Sequence, residues 1–119
     1  MKRSSRRPEQ MAETLRQVIT ESLAREVRDP RVGFVTVTAV YVTSDLSHAR
    51  VLVSMPGEEA EKTEALDGLQ SAAGFLRSRA ARTLTTRTVP ELHFELDRGL
   101  EHSLRINELL NSIRREGDS

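Results

Sequence analysis

Apolar residues recur at helical spacing from Met11 to Val27 and at every second position once past Gly33. So abrupt a change of period restricts the chain to folds that mix helix and strand. Met11, Leu15, Val18, Ile19, Leu23 and Val27 form one face of a long helix. Its start signals are Pro8 and Glu9, and it must stop near Asp29, because Pro30 disfavours helical geometry in the residue before it. Phe34, Thr36, Thr38, Val40 and Val42 then alternate with Val35, Val37, Ala39 and Tyr41, a run rich in the β-branched residues that strands prefer. The turn residues Ser44, Asp45, Leu46 and Ser47 lead into a second alternating run, Ala49, Val51, Val53 and Met55, which predicts a β-hairpin.

Pro56 and Gly57 end the hairpin, and an acid-rich helix follows, with Glu58, Glu59, Glu61, Glu64 and Asp67 solvated and Ala65, Leu66, Leu69, Ala72 and Ala73 inward. Gly74 interrupts the period. A glycine there costs about 1 kcal/mol relative to alanine, so a kink with close helix packing is expected. A second helix runs from Phe75 to about Thr85 with Leu76, Ala80 and Leu84 as its inner stripe. Phe75 falls opposite that stripe; either the kink resets the phase and buries it, the preferred reading, or it is an exposed contact. After Pro90, Leu92, Phe94 and Leu96 alternate as a third strand, and Ile106, Leu109, Leu110 and Ile113 mark a last helix. A strand that returns through helices to the same sheet runs parallel to its neighbour. The pattern predicts an α+β domain of order α-β-β-α-kink-α-β-α, a three-stranded mixed sheet packed on helices. Residues 1–7 read as a basic flexible arm, 8–115 as a single domain and 116–119 as a tail.

Charge is balanced overall but segregated: residues 1–31 carry +3, 32–70 carry −4, 71–90 carry +4 and 91–119 carry −3. The stretch 71–90 holds Arg77, Arg79, Arg82 and Arg87 and no acid. Local field rather than net charge attracts phosphate, and the planar guanidinium pairs two phosphate oxygens at once. On an ideal helix Arg82 projects opposite the buried stripe and Arg77 and Arg79 flank it, so all three are expected at the surface without acidic partners. Lys2, Arg3, Arg6 and Arg7 form a second acid-free group at the start. With few aromatics (Phe34, Tyr41, Phe75, Phe94), a base-stacking platform is disfavoured and contact with nucleic acid rests on its backbone.

Other functions find little support. Without cysteine there is no disulfide, thiolate metal site or cysteine nucleophile, and no apolar run is long enough to span a membrane. A cytoplasmic protein is expected. Ser47 and His48 beside Asp45, and His93 and His102, invite a catalytic reading, yet the first three crowd a hairpin turn. No H-E-x-x-H, G-x-S-x-G or phosphate-loop pattern occurs. No enzyme, metal site, cofactor or small-molecule substrate is expected.

The element order, with a break between two helices before the last strand, resembles the type II KH domain, an RNA-binding fold. In detail, the segment Asp29 to Thr38, the turn Asp45 to Ala49, the junction Ser71-Ala72-Ala73-Gly74-Phe75-Leu76-Arg77, the segment Thr88 to Phe94, and Arg105-Ile106 with Leu109-Leu110 are similar to the ribosome-binding factor A family. The resemblance covers about residues 8–113. It implies a non-catalytic factor that binds the free small (30S) ribosomal subunit as a monomer and assists late maturation of 16S rRNA, notably at its 5′ end, with importance in the cold. Other KH domains clamp phosphates with a G-x-x-G loop. Here Ala72-Ala73-Gly74 stands in its place, a replacement the family shares, and Ser103-Leu104-Arg105 carries a large apolar residue where the family has a small one. On the resemblance, Ala72, Ala73 and Gly74, together with the arginines of 71–90 and the basic start, are the expected RNA contacts. A generic single-stranded RNA-binding module, a protein-interaction adaptor using the Phe34, Thr36, Thr38, Val40 face, and a hydrolase are the rival classes.

Overall fold

Why the chain folds as it does is clearest from α1, Lys2–Arg25, whose Met11, Leu15 and Ile19 recur every four residues and are all buried. The computed structural model describes residues 2–84 and 88–99, with side chains from Arg7 onward. The last helix expected around Ile106 to Ile113 lies outside the described residues, as does Arg87. The helix begins at Lys2, ahead of the Pro8 and Glu9 start signals, so most of the expected arm is continuous with α1. Pro8 lies inside the helix and removes one backbone donor, yet the turn before it, rich in lysine and arginine, which are good helix formers, is helical too.

Strands β1 (Thr36–Val42) and β2 (His48–Ser54) form the expected antiparallel hairpin. Asp45 organises the turn: its Oδ1 accepts from Thr43 Oγ1 and Ser47 Oγ, each at 2.7 Å, and from the Ser47 N–H at 3.2 Å. These bonds hold its carboxyl down at about 2, and Leu46 beside it takes a left-handed φ of 64°. The pairing slips between Val37 and Ala39, a β-bulge at Thr38, whose hydroxyl donates to the Leu52 carbonyl. Because of that extra residue, Val40 opposes buried Val51 and Val42 opposes buried Ala49. The single face of Phe34, Thr36, Thr38 and Val40 expected from strict alternation does not exist. Phe34 lies before the strand and is 88% exposed.

Helix α2 (Glu59–Ser71) is followed after Ala72 by α3 (Ala73–Thr83), and β3 (Glu91–Leu96) then lies parallel to β2. The strand order is β1-β2-β3, a three-stranded mixed sheet as predicted. Alternation sorts its two faces. Ala49, Val51, Val53, Leu92 and Phe94 are buried against Leu15 and Ile19 of α1, Ala65 and Leu69 of α2, and Leu76 and Ala80 of α3. His48, Arg50, Glu91 and His93 lie on the opposite, open face.

Candidate RNA-contacting surface

The break between α2 and α3 is made by one residue. Ala72 sits at φ −84° and ψ −3°, and its N–H is shared between the carbonyls of Gly68 at 3.1 Å and Leu69 at 3.0 Å, after which its own carbonyl accepts from Leu76. No left-handed residue is needed, and Gly74 lies inside α3 with nothing within 4 Å of where a Cβ would stand. Close packing at Gly74 is therefore not what the kink requires. The glycine that packs is Gly68, where a Cβ would lie 2.9 Å from Val32 Cγ2 and 3.2 Å from Arg31 Cβ. Spacing along the helix could not separate the two, because the crowding comes from the loop after α1.

The expected arginines part company in space. Arg77 turns inward, donating from Nη2 to the Val89 carbonyl at 3.0 Å, which ties α3 to the approach to β3. Arg79 is paired with Glu26 at the end of α1 and lies over the Phe75 ring, 5.0 Å from its centroid. The acid-free stretch thus does have an acidic partner, supplied by another element. Phe75 stays 40% exposed and is covered by guanidinium instead of core, contrary to the burial expected for it. Arg82 is exposed, and no described residue pairs with it. Gly74, Phe75, Ser78 and Arg82 make up the outward side of α3.

Two basic regions far apart in sequence meet here. A cleft of about 280 Å³ is lined by Arg7, Gln10 and Thr14 of α1 and by Thr83 and Leu84 at the end of α3, so the basic start of the chain borders the arginine helix. At the other end of α3, Gln70, Ala73, Gly74 and Arg77 face Leu92 and His93 of β3 across a smaller cleft of about 180 Å³. The Gln70 carboxamide donates to the Leu92 carbonyl at 3.0 Å and accepts from the Phe94 N–H at 3.3 Å. Those backbone groups of the β3 edge are satisfied internally, which leaves no place for an added strand there. Sequence reasoning had no signal for Gln70, a polar residue on a helix like many others.

Known proteins share this architecture. Residues 7–110 match the family model for ribosome-binding factor A. The ribosome-binding factor A of Thermomicrobium roseum is 50% identical over 94% of this chain and 87% of its own length, and that of Rhodopirellula baltica 46% identical over 95% and 82%. Among solved structures, ribosome-binding factor A from Thermus thermophilus superposes with a TM-score of 0.69 at 30% identity, covering 76% of this chain and 96% of that one. A homology model of the Thermus protein, fitted into a cryo-electron microscopy map of a 30S complex, gives a TM-score of 0.52 at 32% identity, covering 71% and 93%.

Proposed function

The chain belongs to the ribosome-binding factor A family, and from that membership we propose that it binds the free small ribosomal subunit and assists late maturation of 16S rRNA, including the 5′ end, by binding alone. The relative fitted into a map of a 30S complex carries this reading. In it the protein works as a cytoplasmic monomer, needs no cofactor or small-molecule substrate, and matters most in the cold. A ligand shifts a conformational equilibrium only by its differential affinity for the two states. The factor accordingly favours an immature arrangement of the subunit and leaves once the mature one forms.

The contact surface of this proposal is the outward side of α3 from Ala72, Ala73 and Gly74 to Arg82, continued by Arg7 and by Lys2, Arg3 and Arg6. Arg87 belongs to the same acid-free stretch. Arg82 supplies an uncommitted guanidinium for phosphate; Arg79, held between Glu26 and Phe75, contributes stiffness and a shared charge. Sedimentation of the purified protein with free small subunits, large subunits and joined ribosomes tests the reading. Co-sedimentation with free small subunits above the other two is the expected result. Equal binding to all three, or equal affinity for unstructured RNA oligonucleotides, would replace it with a generic RNA-binding module.

A further inference from the structure

We propose that His48, Glu91 and His93 form a binding site for one zinc ion on the open face of the sheet. Parallel pairing sets His48 opposite Glu91 and Arg50 opposite His93, so three side chains from the starts of β2 and β3 rise from the same face. Their donor atoms converge. His48 Nδ1 lies 3.0 Å from His93 Nε2 and 3.7 Å from Glu91 Oε2, and His93 Nε2 lies 4.0 Å from the same oxygen. The point equidistant from these three atoms is about 2.1 Å from each, which is the bonding distance of zinc to imidazole nitrogen and carboxylate oxygen. An ion at that point would lie in the plane of its three ligands. The side chains are about half exposed, and a small closure would lift the ion out of plane to leave a fourth, tetrahedral position for water.

Charge and ligand chemistry agree with the geometry. Arg50, the cation on this face nearest in register, is bonded to Glu95 at 2.6 Å, and no described lysine or arginine pairs with Glu91. Among the described residues, the two imidazoles are the side chains paired with the Glu91 carboxylate. Their mutual hydrogen bond makes one ring the donor and the other the acceptor, but each ring can carry its hydrogen on its other nitrogen and turn a lone pair to the ion. Two imidazole nitrogens and one carboxylate oxygen suit zinc, whereas magnesium and calcium take oxygen ligands. No ligand spacing along the chain announces the set, because 45 residues separate the two histidines and only the register of β2 and β3 unites them.

Calorimetric titration of the full chain with zinc chloride, after removal of adventitious metal with a chelator, tests the site. The expected result is one zinc per chain, a melting temperature that rises with zinc and not with magnesium, and at least tenfold weaker zinc binding in His48→Ala, Glu91→Gln and His93→Ala. His102→Ala should bind as the wild type does. Circular dichroism checks that each variant is folded, and His93→Gln replaces the alanine variant if that one melts early. Absence of one-to-one binding, wild-type affinity in folded His48→Ala and His93 variants, loss of binding in His102→Ala, or an equal response to magnesium would each overturn the proposal.

Discussion

Gly68 is buried where α2 meets the loop after α1, with Val32 and Arg31 too close to admit a methyl group without movement. Gly68→Ala is therefore expected to lower stability by about 1 to 3 kcal/mol, the usual cost of overpacking, as read from chemical denaturation. Gly74 has open space around it. Gly74→Ala should raise stability by up to about 1 kcal/mol through helix propensity, while the added methyl on the outward side of α3 weakens binding to small subunits. A stabilised protein with unchanged affinity would remove the kink from the RNA surface. Asp45 makes a prediction of a different kind. Its carboxyl is held at about 2 against an ordinary value of 3.8 by Ser47 and Thr43, so its contribution is fully present above about pH 4 and is lost as pH falls to about 2. Denaturation midpoints at neutral pH and near pH 2 should lie closer together in Asp45→Asn than in the wild type.

At the scale of elements, the join between α1 and α3 rests on apolar burial around Leu15, Ile19, Leu76 and Ala80, reinforced by the Arg79 to Glu26 pair. Arg79→Gln and Arg82→Gln should separate structure from binding. The first should lower both stability and affinity. The second should leave the melting curve in place, lower affinity for small subunits, and reduce the salt slope of log affinity by about 0.7 to 0.9, the share of a single neutralised phosphate. Parallel salt slopes for Arg82→Gln and wild type would make α3 a solvated face. Strong periodicity made the elements themselves legible: Met11 to Val27 and the two alternating runs could fold in few other ways. What stayed hidden was set between elements. The bulge at Thr38 carries no glycine or proline to mark it, Glu26 stands far along the chain from Arg79, and the free exposure of Arg82 depends on neighbours rather than on its own spacing. Of the candidate surface, the arginine helix and the basic start could be read as charge, but that they border one another follows only from how α1 and α3 pack.

For the molecule as a whole, the described helices cover one face of the sheet, and the histidine cluster on the other face reaches the β3 edge, where Glu91 and His93 border the cleft beside Gly74 and Arg77. The parallel pairing of β2 with β3 also orders events in time. The hairpin of β1 and β2 closes a short turn, whereas β3 joins β2 across a separation of about 40 residues, after α2 and α3 have been threaded between them, and long loops must lose their closure entropy before any pairing rewards it. The hairpin, with α1 laid against it, is therefore expected to be the nucleus, with β3 docking later. Val51→Ala should then slow refolding, while Phe94→Ala should mainly speed unfolding, as the two limbs of a denaturant chevron would show. A chain built this way has its last-formed strand beside the kink of the proposed RNA surface, so that part of the surface is completed only when folding itself is complete.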